Sequence, residues 1–390
     1  LTAEKILADL KPDIYFKGKD YNEKDLTGNL NKEIKILKKN KGKILITQTQ
    51  MLSSTKIVNN FFKPFESNID NYLRNLKKNN AFEKIKNVFS KLEEKTINVI
   101  GEPIIDTYIH CEMAGLTTKD PAVSSIIKKK EVVPGGVIAV AKIISKFVKQ
   151  VNFYSFGKTN ELKKIFKNYK NTKVINLDTK QPMQIKTRYI NSTRYEKLLQ
   201  VTNFRKNTFS YEAKKSIVKK IKKIKKNLII CDFGIGLFED EVLQCIENLK
   251  AKKFLNVQSN SMNLGYNLFT KYKSFNYLSL DEREWKLALG EDKIKSIGKI
   301  MKLKKNNKLS CSITLGKQGS EYLWKNQKAK SPVFIEKTLD TTGCGDAYFA
   351  ITSLMIECGL EKNLISFVGN SYAGMHSQFF GNSKITEKIT

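Results

Sequence analysis

Arginine and histidine are nearly missing from this chain, and each shortage removes a class of function. Only five arginines occur, Arg74, Arg188, Arg194, Arg205 and Arg283, among 70 basic residues. The forked guanidinium is the preferred reader of base edges and paired phosphate oxygens. A formal charge of +32 carried almost wholly by lysine therefore argues against a nucleic-acid partner. Lysine, asparagine and isoleucine share AT-rich codons, so much of the charge reads as genome composition. The two histidines, His110 and His376, stand far apart and read as structural. The six cysteines (Cys111, Cys231, Cys245, Cys311, Cys344, Cys358) form no C-x-x-C pair. That excludes a zinc ribbon, a redox dithiol and a secreted disulfide scaffold, and fits reduced thiols in a cytoplasm. No run approaches the ~18 apolar residues of a membrane-spanning helix, and no charged-then-apolar leader opens the chain. A soluble, unexported protein without membrane partners is expected.

What remains is ample for folding. The 390 residues are 41% hydrophobic and 28% charged, which rules out global disorder and suggests two or three domains. Around the lysine-rich run Lys219 to Lys226, Ile217, Ile221 and Ile224 recur at helical spacing, so the stretch reads as a helix with one buried face and one solvated face. Leu1 is not an initiator methionine, and the chain is expected to be a fragment or a processed product. Residues 1–62 form a first block, with strands at Asp13 to Phe16 and Lys43 to Thr47 around a helix from Asn31 to Lys39. Residues 63–95 are polar, helix-prone and free of glycine, and read as an exposed connector. From residue 96 to 390, apolar strands alternate with helical stretches: Ile97 to Ile100, Val151 to Phe156, Lys173 to Asn176, Leu228 to Cys231, Phe254 to Val257, Phe275 to Ser279 and Ser310 to Leu315. This pattern implies an α/β domain with a largely parallel sheet covered on both faces.

The strongest chemical signal is Asp340-Thr341-Thr342-Gly343-Cys344-Gly345-Asp346. It follows an expected strand, Val333 to Ile335, and precedes an apolar, helix-compatible run from Ala347 to Cys358. Two glycines let the backbone approach an anion, and a helix start offers unpaired N–H groups and a positive dipole end. The pattern reads as a phosphate cradle. Asp346, in the first helical turn, either takes a proton from a hydroxyl beside that anion or stabilises the helix start. Spacing alone leaves both open.

This motif resembles the signature of the ribokinase-like sugar kinases, also called the PfkB carbohydrate kinases, and the resemblance runs from about Thr96 to Thr390. It implies a ribokinase-like three-layer α/β/α kinase domain. It further implies that Asp346 is the catalytic base, that the amides of Gly343, Cys344 and Gly345 form an anion hole, and that ATP and magnesium take part. Ser279 to Glu284 resembles the family's N-x-x-E element, which organises magnesium and nucleotide phosphates, with Asp281 in place of asparagine and Glu284 acting on the metal indirectly. Thr314-Leu315-Gly316-Lys317-Gln318-Gly319 resembles a T-x-G-x-x-G nucleotide loop, and reads equally as a strand-to-hairpin turn. Gly101 to Asp106 is similar to the G-D-x-x-x-D strand end, which makes Asp106 a sugar-binding candidate. Pro134-Gly135-Gly136 resembles the glycine pair that packs on the sugar, and Lys186-Thr187-Arg188 resembles a strand of the heptose-phosphate kinases that meets substrate phosphate. Two positions depart from the pattern: Glu102 replaces an aspartate and Ala139 an asparagine, which puts the identity of the sugar in doubt.

The first block also has a resemblance. Leu10 to Tyr21, including Lys17 and Gly18, is similar to the K-P-D-x-x-x-K-G-x-D-Y stretch of cytidylyltransferase-like domains in heptose-phosphate nucleotidyltransferases. Ser53-Ser54-Thr55 is similar to a phosphate-receiving element of the same domain, and alone reads as a helix cap. The resemblance implies a partial Rossmann-like nucleotidyltransferase domain, lacking the H-x-G-H motif on which such enzymes depend. The expectation is a sugar or sugar-phosphate kinase, from a bifunctional nucleotide-sugar enzyme with heptose phosphate as the leading substrate class. Two alternatives stay open: a kinase for another sugar or a nucleoside, and a regulatory or nucleic-acid-binding protein on a kinase scaffold. Homodimerisation is likewise left open.

Overall fold

Short apolar strands between amphipathic helices build the first of two units into which the chain divides, Leu1–Tyr72 and Leu73–Thr390. A computed structural model describes residues 3–17, 29–46, 67–203, 205–290, 309–325, 327–335 and 337–383. In the first unit, α1 (Ala3–Leu10) leads into β1 (Ile14–Lys17), and α2 (Asn29–Lys39) into β2 (Lys43–Ile46). The strands pair in parallel, Ile14 opposite Lys43, which requires the crossover that α2 supplies. Leu7 and Leu37 are buried between the helices. Lys17 ends β1 in an ion pair with Glu33 of α2, Nζ to Oε2 2.6 Å, with both side chains largely shielded. Gly18, Ser53, Ser54 and Thr55 lie outside the described residues.

Two helices follow, α3 (Ser67–Lys78) and α4 (Ala81–Leu92). The segment 63–95 was expected as an exposed connector, but α4 buries Ala81, Val88 and Leu92 in the main core of the second unit. Ile85 and Phe89 pack against that core as well. The five apolar positions recur at helical spacing, and the charged residues between them disguise the stripe as a polar segment.

The second unit holds β3 (Thr96–Gly101), β4 (Pro103–Leu116), β5 (Val123–Gly135), α5 (Gly136–Ser145), β6 (Gln150–Ser155), α6 (Thr159–Ile165), β7 (Thr172–Asn176), β8 (Gln184–Asn191), β9 (Lys197–Thr202), α7 (Tyr211–Ile221), β10 (Asn227–Asp232), α8 (Asp240–Glu247), β11 (Lys252–Val257), β12 (Tyr277–Asp281), α9 (Glu282–Leu289), β13 (Ser310–Thr314), β14 (Ser320–Trp324), β15 (Gln327–Ser331), α10 (Cys344–Glu357) and α11 (Lys362–His376). Among the described residues, nine strands form one sheet in the order β15-β14-β13-β12-β11-β10-β3-β6-β7. It is parallel from β7 to β13 and antiparallel at β14 and β15. Alternate residues of a strand serve opposite faces, so Ile229 and Cys231 of β10 enter one core while Leu228 and Ile230 enter the other. Helices α5, α10 and α11 cover the first face and α7 and α8 the second, giving three layers.

A second sheet, in the order β5-β4-β8-β9, departs from the expected strand–helix alternation. β4 runs on from β3 with only Glu102 between them, and pairs antiparallel with β5 and parallel with β8. The expected strand Val333 to Ile335 is not a strand. The ladder ends with β15, and Pro332, which follows it, has no N–H to extend the pairing.

Gly319, at the β13–β14 turn, has φ +87°, and a β-carbon there would stand 2.0 Å from the Ser331 carbonyl oxygen. Gly319→Ala is expected to cost about 2 kcal/mol or more, because both the dihedral and the neighbouring backbone must give. Urea unfolding of the variant checks this, and a midpoint equal to that of the parent would contradict the close approach.

Candidate active site

The start of α10 is fixed by Gly343, whose φ of +82° suits glycine. A β-carbon at that position would meet Asn382 Oδ1 at 2.8 Å and His376 Nε2 at 3.0 Å. The loop in front is fastened by Asp340, which is buried. Its carboxylate accepts from the Thr342 amide (3.0 Å) and hydroxyl (2.9 Å), from the Gly381 amide (3.0 Å) and from Lys197 Nζ of β9 (2.6 Å). Burial opposes its ionisation, but the donors from Lys197 and Thr342 hold its carboxyl below the ordinary value. Lys197 also donates to the Thr342 hydroxyl at 2.6 Å, so the second sheet grips the loop twice.

Of the three amides expected to face a transferring group, that of Cys344 closes a turn onto the Thr341 carbonyl at 3.2 Å. The Ala347 amide returns to Gly343 (2.9 Å). Among the described residues, the Gly343 and Gly345 amides have no such acceptor, and Gly345 lies in the open first turn of a helix. The Cys344 thiol is pushed up to about 12 by burial and by the nearby Asp340 and Asp346. It is therefore no nucleophile.

Asp346 lies one residue further into that turn and is 7% exposed. Burial lifts its pKa to about 7, opposed by a hydrogen bond from Gln258 and reinforced by Asp106, with Lys186 acting the other way. Asp106 of β4 is itself buried and accepts a hydrogen bond from Arg188 Nη1 of β8. The Arg188 guanidinium also lies over the Tyr108 ring, 5.5 Å from its centroid. Parallel register sets Asp106 beside Lys186 and Tyr108 beside Arg188. Lys186 accordingly feels burial, which lowers its pKa, together with Asp106, Arg188 and Asp346. The glycine pair belongs to the same place: a β-carbon on Gly135 would lie 2.2 Å from Asp106 Oδ2, and Gly136 turns the chain into α5 at φ +55°. Asp346, Asp106, Lys186, Arg188 and Gly135 are thus neighbours.

The two departures are explained by packing. Ala139 is buried inside α5. Glu102 is wholly buried, and its carboxylate accepts from the amides of Phe233 (2.8 Å), Ile235 (2.9 Å) and Leu237 (2.8 Å), tying the loop after β10 to the end of β3. The extra methylene relative to aspartate is spent on that loop.

Asp281 and Glu284 form a capping box at the start of α9. The Glu284 amide donates to Asp281 Oδ1 (2.7 Å) and the Asp281 amide to Glu284 Oε2 (2.9 Å), while Ser259 N donates to Glu284 Oε1 (3.0 Å). Burial, with Asp281 and then Asp346 adding repulsion, raises Glu284 to about 8. Thr314 is the register partner of Asp281 on β13. The segment after it is a hairpin turn closed by Leu315 N to Gly319 O at 2.8 Å, with Gly316 at φ +57° in open space.

Asp346, Gln258, Asp281 and Thr314 all stand at the C-terminal ends of parallel strands or at the helix start facing them, where open α/β sheets place ligands. Sequence reasoning missed Gln258 and Lys197. The one available signal was a polar residue directly after the apolar run Phe254 to Val257.

Comparison with known structures bears on the fold. A ribokinase from Thermotoga maritima superposes with TM-score 0.52 and 17% identity, over 73% of this chain and 94% of that one. Phosphofructokinase-2 from Escherichia coli superposes with TM-score 0.59 and 13% identity, over 75% and 96%. The chain has a ribokinase-like fold. No family model matches it. Two curated relatives resemble the ribokinase-like chain in sequence, each named bifunctional protein HldE. That of Aliarcobacter butzleri is 25% identical over 307 residues and that of Koribacter versatilis 22% identical over 283. These matches take in 75% and 70% of the ribokinase-like chain, but span only 63% and 57% of the relatives' length.

Proposed function

We propose that the second unit transfers the γ-phosphoryl group of ATP to a hydroxyl of a sugar or sugar phosphate, heptose phosphate being the leading class. The observation that carries this reading is the meeting of a buried carboxyl of raised pKa, Asp346, with the open helix start at Gly345 and the Asp106–Arg188 pair. Asp106 and Gly135 would hold the sugar. Asp346 would take the proton of the attacking hydroxyl as its oxygen bonds to phosphorus and the bond from phosphorus to ADP breaks. The amides of Gly343 and Gly345 would receive charge on the phosphoryl oxygens. Asp281, Glu284, Thr314, Gly316 and Gly319 form the nucleotide side of this reading.

Magnesium fits the donor set. Burial raises Glu284, with Asp281 and then Asp346 adding repulsion, and a divalent cation held through water near Asp281 and Glu284 would offset both effects. When bound, it would neutralise phosphate charge. The parallel β1–α2–β2 unit, with Lys17 at the end of β1, is compatible with a nucleotidyltransferase-like remnant, but residues 1–72 contain no histidine, and no transferase chemistry is assigned to them. A reducing, cytoplasmic setting is consistent with six free cysteines.

The test is ATP turnover against a panel of sugars, sugar phosphates and nucleosides. Turnover on sugar phosphates is expected, and turnover on nucleosides alone would overturn the substrate class. Among the described residues, Lys186 Nζ has no hydrogen-bond acceptor, which suits it to a substrate phosphate. Lys186→Met is expected to raise KM for a sugar phosphate about tenfold or more while leaving that for an unphosphorylated sugar nearly unchanged. An equal rise for both would remove the phosphate role.

A further inference from the structure

Gln258 directly follows β11, and its Nε2 donates to two oxygens, Asp346 Oδ1 at 2.6 Å and Asn256 Oδ1 at 3.1 Å. Asn256, two residues earlier and so on the same face of the strand, donates its Nδ2 to the Ser279 carbonyl of β12 at 2.9 Å. These contacts settle the orientation of both amides. A backbone carbonyl can only accept, so it must face the nitrogen end of Asn256, which turns Oδ1 toward Gln258. That oxygen also only accepts, so the NH2 group of Gln258 must face it. Both hydrogens of that group are then committed, one to Asn256 and one to Asp346. The backbone of Gln258 is held as well: its amide donates to Asp232 O (2.9 Å), and its carbonyl accepts from Asn267 Nδ2 (3.2 Å).

We propose that Gln258 is the positioning residue of the base: two side-chain amides anchored on the Ser279 carbonyl present an N–H to Asp346, hold its carboxyl in one orientation and favour its ionised form. This rests on the reading of Asp346 as the base. Other groups act on Asp346 through charge, namely Asp106 from β4, Lys186 from β8 and Glu284 from α9, with the Cys231 and Cys344 thiols nearby. Gln258 differs from them in acting through a short, directed hydrogen bond. Asn256 is a further positioning residue, one step removed, because it prevents Gln258 from turning its carbonyl oxygen onto the carboxylate.

The experiment titrates the Asp346 carboxyl by carbon-13 NMR in the full chain labelled at aspartate carboxyls, with the signal assigned by its loss in Asp346→Asn. Gln258→Leu is expected to raise the midpoint by about one pH unit, a tenfold gain in proton affinity. Asn256→Leu is expected to raise it in the same direction by less. An unchanged midpoint in Gln258→Leu would overturn the proposal. Should that variant not fold, Gln258→Glu, similar in size, places a carboxyl against a carboxyl and is expected to raise the midpoint further, and no shift there is equally fatal. The readout needs no substrate, so it stands apart from the assignment of the base, which the turnover of Asp346→Asn decides. In the active enzyme, the acidic limb of kcat is expected to move with the midpoint while KM for ATP stays constant.

Discussion

Asp346→Asn is expected to lower kcat for phosphoryl transfer by about 10²–10⁴-fold, the range contributed by a positioned general base, with a much smaller effect on KM for ATP. The same carboxyl sets the pH dependence. Burial raises it to about 7, and a base works only when ionised, so kcat of the parent is expected to fall as pH drops through about 7. Stability runs the other way. The folded carboxyl binds its proton more tightly than the unfolded one, so ionising it costs folding free energy as pH rises from the ordinary value of 4 or so toward 7. The asparagine variant lacks that cost and is expected to melt a few degrees higher than the parent at pH 8, on the order of the shift produced by 1 kcal/mol. Steady-state kinetics and calorimetry across pH 5 to 9 (roughly two units either side of the midpoint) check both. Retention of more than about a tenth of parental kcat would remove Asp346 from the chemistry.

Glu102→Leu is expected to be the most damaging single change to the fold. Its carboxylate is wholly buried and satisfies the amides of Phe233, Ile235 and Leu237. Leucine would leave three buried donors without acceptors, each costing about 1–3 kcal/mol. Domains have only about 5–15 kcal/mol in all. The variant is expected to be unfolded or to lose most of its stability in urea. Glu102→Gln, which keeps one acceptor oxygen, should lie between. The sugar-contact reading predicts instead a normal urea midpoint with raised KM, so the pair of measurements separates the two roles.

The parallel core was legible because β3, β6, β10 and β11 are nearly continuous apolar runs with polar residues at their ends, the signature of strands buried on both faces. The second sheet was not. β4 continues from β3 without a turn, and β9 has five of its six residues exposed, so neither shows the helix-separated rhythm that marked the rest. In the site, Asp346, Asp106 and Arg188 were found because they sit in motifs or, for Arg188, because arginine is scarce. Lys197 is one lysine among many, and its role depends on a contact with Asp340, 143 residues away. Gln258 is a single amide whose partners come from β11, β12 and α10. Geometry supplied by three elements leaves no local trace.

The order of strands in the large sheet bears on how the chain is made. β3 is the earliest strand of that sheet to leave the ribosome, yet it sits between β10 and β6, with Ile229 opposite Val99 on one side and Phe153 opposite Val99 on the other. One flank of β3 therefore stays bare until Asn227 to Asp232 have been synthesised, at some 5–20 residues per second. During that interval a largely apolar strand with an unpaired backbone edge is open to pairing with any other nascent strand. Products that stop short of Asn227 are for this reason expected to appear as aggregates rather than as smaller folded proteins.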